Sequence, residues 1–407
     1  VNAGNSIASG GNYNTVVGDE AGTAITTGDE NVMIGYVAGD AINTSSQNVA
    51  VGAYALTADT KGSKSVAIGR GALNAQNFTS ATDSNNTAVG DKAGYAVTTG
   101  TNNTLVGTSA GDAMNTGTRN VAVGTGALGV HTSGTDNVAI GSVDAAAAEV
   151  LGSNLTGGGN IAIGGGTLAN YTASNSLAVG YRALKASTDG HTNIGIGNYA
   201  GDAITTGDNN IMIGYDCGSY TTNFITGGQN VCIGHYITAG GTADNYANAL
   251  GYNLTAHGGY TTLGKGADDI RASHGSTTWS TVSDERYKKD IEDAKAGLSF
   301  INALKPRTFK YKTLGELPET FRAYEADSTK VFKNENTNHG FIAQEVKQAI
   351  DADSDLKDGF RLWDERGDGS QEIAETALIP MLVKAIQELS AKNTALEAKV
   401  TALENAE

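Results

Sequence analysis

A five-residue unit recurs through residues 14–264: Asn, then small or branched apolar residues, then Gly. It reads NTVVG at 14–18, NVMIG at 31–35, NVAVG at 48–52 and SVAIG at 65–69. Further copies end at Gly90, Gly107, Gly124, Gly141, Gly164, Gly180, Gly197, Gly214 and Gly234, and two weaker ones at Gly251 and Gly264. Successive glycines are mostly 17 residues apart, with longer steps of 21, 23 and 20. A unit this short cannot bury its own apolar face, so it must stack on its copies. Seventeen residues are too few for a helix, a strand and two loops, but enough for two short strands and two turns. Each repeat therefore predicts one coil of a parallel β-solenoid, about fifteen coils in all, with the longer steps as loop insertions on one edge.

Alternation along a strand sends neighbouring side chains to opposite faces. The expectation is that flanking residues such as Val121 and Val123 fill the coil and the middle residue, often Ala, faces outward. Asn suits the turn entering the strand, and Gly allows the positive φ that leaves it. The segments AGTAITTGDEN (21–31), AGYAVTTGTNN (93–103) and AGDAITTGDNN (200–210) predict a second strand and a second turn in each coil. A thin coil with few aromatics buries little by itself. The shaft is therefore expected to be a homo-oligomer, and a three-fold axis fits it.

The last 125 residues obey different rules. Residues 1–282 hold 49 of the 55 Gly and no Pro, whereas residues 283–407 hold all three Pro and 18 of the 27 Lys and Arg. Expected domains are a solenoid at 1–264, a linker strand at 265–282, an α+β domain at 283–378 and a helix at 379–407. The formal charge of −16 disfavours nucleic acid and anionic membrane surfaces as partners. No run of 18 apolar residues is present, so no membrane insertion is expected. The opening VNAGNSIASG has no charged segment ahead of an apolar core, so it does not read as a signal peptide, and Val1 suggests a fragment of a longer chain.

Few shaft residues suggest chemistry. Asp40, Asp112 and Asp202 recur in GDA. Paired acids cleave glycosides, but recurrence at one place in the repeat is what a turn residue does. The Thr-Thr pairs at 26–27, 98–99 and 205–206 read as strand residues rather than a flat ligand face. Cys217 and Cys232 read as small buried hydrophobes. The aromatic stretch GYDCGSYTTNFITGG (214–228) gives a weak signal for glycan stacking. No cofactor or metal motif is present; the calcium-binding nonapeptide pattern is not matched.

In the C-terminal part, SDERYKKDI (283–291) opens a strand-to-helix passage, PRTFKYK (306–312) alternates as a strand, and HGFIAQEVKQAI (339–350) runs into a helix. Ile379, Leu382, Ile386, Leu389, Asn393, Leu396, Val400 and Leu403 step by alternating threes and fours. That is an a/d heptad seam, which predicts a coiled coil with Asn393 fixing its register.

Two resemblances follow from these motifs. The NSVAIG-like repeats resemble the head of YadA-like trimeric autotransporter adhesins, a left-handed parallel β-roll trimer; the period of 17 is longer than in that family, and its C-terminal membrane-anchor barrel has no counterpart here. SDERYKKDI, LKPRTFKYK and GFIAQEV, in that order, resemble the C-terminal intramolecular chaperone of phage tail fibres, tailspikes and endosialidases. That resemblance covers roughly residues 276–395. It implies a domain that trimerises, assists folding of the β-structure before it, and cuts itself off between Val282 and Ser283. It also implies a catalytic dyad of Ser283 and Lys288, with His339 and Glu345 as packing or support.

The chemistry is coherent by itself. A serine hydroxyl can attack the preceding carbonyl if a base takes its proton, and a desolvated lysine can be that base. Against this, Ser283 could be a helix N-cap with Asp284 and Glu285 in the first turn. The expected function is a phage tail fibre, a virion component folded in the host cytoplasm. Expected partners are two further copies of the chain, a host cell-surface glycan or protein receptor, and other tail proteins through a segment before Val1. The rivals are a tailspike polysaccharide depolymerase, expected to place a carboxylate pair in a groove, and a bacterial trimeric adhesin.

Overall fold

The computed structural model describes residues 2–143, 149–154, 156–356, 360 and 362–405. It divides into two compact units, Val1–Ser283 and Asp284–Glu407.

The first unit is a parallel β-solenoid. Each apolar triplet pairs in register with the next: Val32 with Val49, Met33 with Ala50, Ile34 with Val51. The longer steps do not disturb this, since Ile68 pairs with Val89, Ile140 with Ile163 and Ile213 with Ile233. The register is kept as the alternation of faces demands, because a one-residue slip would invert the strand. The strand glycines allow the stacking: Gly35 has φ +132°, and a Cβ there would lie 2.7 Å from the Gly52 carbonyl carbon. After Tyr260–Lys265 the chain reverses, and Asp268–Ser273 pairs antiparallel to it, followed by Ser280–Thr281.

The facing of the strand is the reverse of the expectation. The middle residues Met33, Ala50, Ala67, Ala88, Leu105, Ala122 and Ala139 are fully buried. The flanking branched residues face outward, with Ile34, Ile68 and Ile140 each more than a third exposed. The interior is narrow, because side chains of the other limb, such as Ile25, Ile42, Leu56, Leu73 and Val97, already fill it. Most coils place only Ala opposite them, although Met33, Leu105 and Met212 also enter the interior.

The second limb is mostly not a strand. It is a chain of tight turns, such as Ala38 N–H to the Gly35 carbonyl and Ile42 N–H to the Gly39 carbonyl. Coils still bond to each other there, as in Gly39 N–H to the Ala55 carbonyl at 2.9 Å. Left-handed backbone at Val37 and Gly39 turns the chain too sharply for extended pairing.

Asn does more than enter a turn. Asn31, Asn48, Asn86, Asn103, Asn120, Asn137, Asn160, Asn193, Asn210 and Asn230 are fully buried. Each side-chain oxygen accepts the backbone N–H one coil on, as Asn86 does from Asn103 at 3.0 Å and Asn137 from Asn160 at 3.1 Å. The amide mostly donates to a glycine carbonyl, as Asn103 does to Gly117 at 2.8 Å, while Asn31, Asn160 and Asn230 donate to the carbonyls of Ser45, Ala173 and Asp244. Where Ser replaces Asn, another side chain enters: Gln76 bonds Ser65, and the Tyr171 hydroxyl lies 2.8 Å from Ser176.

The second unit contains helices α1 (Leu298–Ala303), α2 (Ala343–Ala352) and α3 (Ile379–Glu404). Two small antiparallel hairpins pair Arg307–Phe309 with Asn338–Gly340 and Trp363–Glu365 with Gln371–Ile373. Phe300, Leu304, Val346, Ile350, Leu356, Leu362 and Leu378 form its core. Among the described residues, no helix is long and apolar enough to cross a membrane.

Candidate functional site

The motif SDERYK forms a single 3-10 turn, Glu285–Tyr287, rather than an α-helix. Its cap is Asp284, not Ser283: the Asp284 carboxylate accepts the Arg286 backbone N–H at 2.9 Å. The same carboxylate takes two hydrogen bonds from the Arg286 guanidinium, at 3.0 and 2.7 Å. This guanidinium, with the backbone N–H, holds the Asp284 carboxyl below the usual carboxylate range. Lys288 closes the turn, its N–H donating to the Glu285 carbonyl at 2.8 Å. Asp284 and Arg286 thus shape the turn, a role sequence reasoning missed; their opposite charges two residues apart were the available signal.

Val282 and Ser283 are exposed at the end of the first unit, and Lys288 is exposed in the second.

Glu345 and His339 belong to the second motif. Glu345, on α2, receives both arms of the Arg307 guanidinium, at 2.9 and 2.6 Å. The pair ties the first hairpin to α2, and it lowers the Glu345 pKa. His339 is exposed and pairs with Thr308 across that hairpin. Glu345 thus braces the hairpin against α2, and His339 lies on the hairpin surface.

Helix α3 carries the seam. The Glu388 carboxylate accepts the Leu298 N–H at 2.9 Å, and Ala385 is buried, so α3 docks on α1. The seam itself is uncovered: Ile386 is 66 % exposed, Leu389 56 % and Leu396 59 %. Its polar member, Asn393, donates to Glu397 at 2.7 Å.

In the shaft, Asp40, Asp112 and Asp202 sit in turns, and burial raises the pKa of each. Asp40 and Asp112 are four coils apart, about 19 Å at the spacing of paired strands, too far for the two carboxyls of a glycosidase. Cys217 and Cys232 are buried free thiols. No group of three or more potential metal-ligating His, Cys, Asp or Glu occurs among the described residues.

No curated protein and no solved structure matches the chain. A family model does. Residues 283–354 match Peptidase_S74, the chaperone of endosialidase, so that segment, which opens at Ser283, follows a β-solenoid shaft as the chaperone of a phage tail fibre follows its fibre.

Proposed function

We propose that this chain is part of a homotrimeric phage tail fibre whose C-terminal domain assembles the shaft and then releases itself by cutting between Val282 and Ser283. The carrying observation is the match to the chaperone of endosialidase, which starts at Ser283 directly behind the solenoid. Two uncovered apolar surfaces support the trimer: the α3 seam and the outward Val and Ile column of the shaft. The shaft presents its surface to the host.

In the proposed reaction Ser283 Oγ attacks the Val282 carbonyl carbon while Lys288 Nζ accepts the hydroxyl proton. The Val282–Ser283 amide bond breaks, Lys288 returns the proton to the departing nitrogen, and an ester joins Val282 to Ser283 Oγ. Water then hydrolyses the ester, leaving a Val282 carboxylate and a free Ser283 hydroxyl. Because Ser283 and Lys288 are exposed in the single chain, assembly supplies the burial that makes Lys288 a base. Cutting only after assembly leaves the shaft with no ready route back, so its stability becomes kinetic.

The test is denaturing electrophoresis with N-terminal sequencing. Wild type should give fragments of 282 and 125 residues, the second beginning SDERY, while Ser283→Ala and Lys288→Ala stay whole. A wild-type chain that remains whole as a folded trimer refutes the cleavage.

A further inference from the structure

The residues that follow each strand glycine form two columns along one edge of the solenoid. Backbone bonds set the register: the second-column N–H donates to the first-column carbonyl of the preceding coil. Tyr199 bonds Tyr181 at 2.9 Å, Asp216 bonds Asn198 at 3.0 Å, Tyr236 bonds Tyr215 at 3.1 Å and Asn253 bonds His235 at 2.9 Å. Along these coils the first column reads Tyr181, Asn198, Tyr215, His235, Tyr252, and the second reads Arg182, Tyr199, Asp216, Tyr236, Asn253.

The result is a checkerboard. Each coil contributes one tyrosine and one hydrogen-bonding side chain, and their order swaps at every step. The rings meet edge to face, with centroids 5.5, 6.1, 5.5 and 5.8 Å apart. Tyr220 adds a ring 4.7 Å from Tyr236. Arg182 lies over the Tyr181 ring at 5.1 Å.

Ring stacking alone does not account for this arrangement. Tyr215, Tyr220 and Tyr252 remain 40 %, 46 % and 46 % exposed, which forgoes much of what an aromatic gains by burial.

We infer that this edge, from Tyr181 to Tyr252, is a binding rail for a linear neutral polysaccharide. A sugar ring offers an apolar face of C–H bonds to an aromatic and hydroxyls to neighbouring polar groups. A polymer of such rings meets both at every coil, because coils repeat at about 4.8 Å, close to the rise of an extended pyranose chain. Arg182 and Asp216 offset one another along the columns, and the whole chain is acidic at −16, so a neutral glycan fits better than a polyanion. This inference rests on the host-attachment reading and gives it a location.

The test is full-length protein on an array printed with purified neutral and acidic bacterial surface polysaccharides, with sedimentation of each variant in parallel. The variants are Tyr215→Ala/Tyr236→Ala on the rail, Tyr215→Phe/Tyr236→Phe to keep the rings, and Tyr36→Ala/Tyr54→Ala, a stacked pair in the same two columns but in early coils outside the Tyr181–Tyr252 stretch. Wild type should bind neutral polysaccharides. The rail alanines should weaken that roughly tenfold or more, while the other two variants retain it and all keep the wild-type mass. Equal binding by wild type and the rail alanines removes the rail but leaves glycan attachment standing. Absence of binding by wild type removes both. Binding confined to acidic polysaccharides overturns the neutral assignment. A change of oligomeric mass in the rail alanines alone means that a second copy of the chain covers this edge.

Discussion

Asn120 takes both its place and its satisfaction from Asn103. Its backbone N–H donates to the Asn103 side-chain oxygen at 3.0 Å, and its own amide donates to the same oxygen at 3.2 Å. Replacing Asn103 by Ala should strand the Asn120 N–H and the Gly117 carbonyl in the buried interior. The expected loss is about 2–4 kcal/mol, more than one ordinary hydrogen bond, because buried partners are left unmatched. Urea unfolding followed by circular dichroism measures it; a loss within the error of wild type refutes the role of the column.

Ala122 is fully buried between limbs, while Val121 and Val123 face outward. Ala122→Leu should overpack the coil and cost about 1–3 kcal/mol. Had the alanines faced out, the same change would leave the thermal unfolding midpoint where it is.

The α3 seam is exposed, so charging it should spare the fold of the second unit. Ile386→Asp/Leu389→Asp is expected to yield a monomer by light scattering with near-normal helical signal. Under the proposed mechanism this variant also stops cleaving at Val282, although Ser283 and Lys288 are intact. Wild-type cleavage by a monomer would separate the two events and refute assembly gating.

His131 is fully buried, its Nδ1–H donating to the Asn154 carbonyl at 2.6 Å, while Nε2 faces the Asn137 amide at 3.4 Å. Burial lowers its pKa from 6.5. The unfolded chain therefore takes up a proton that the native state resists. Stability from this site is full above 6.5 and falls as pH drops through that value. Wild type should lose more stability than His131→Gln between neutral and mildly acidic pH. Parallel curves for the two proteins would contradict this.

The period and the strands were legible in the residues, because identical five-residue units leave one way to stack. Which face of Val121-Ala122-Val123 turns inward was not: alternation with period two is symmetric, and the second limb's Leu and Ile decide it. The role of Asn was hidden for a related reason, since a turn residue and a ladder residue have the same spacing. Only part of the tyrosine columns was legible, in the aromatic stretch 214–228, because their tyrosines occupy no single repeat position and only the stacked coils bring Tyr199 beside Tyr215. In the C-terminal unit the motif SDERYK was plain, but Ser283 and Asp284 are both good caps, and the bidentate bond from Arg286 selects Asp284.

The unbroken register across long and short steps makes the solenoid a ruler. Its length counts coils, not residues: about fourteen turns at about 4.8 Å give roughly 65 Å. Lengthening a loop leaves that reach unchanged, whereas duplicating one 17-residue repeat extends it by a single rung and rejoins the asparagine column above and below. A lineage can thus adjust the length of this shaft by copying repeats, and adjust the make-up of its edge by editing turns, each without disturbing the other.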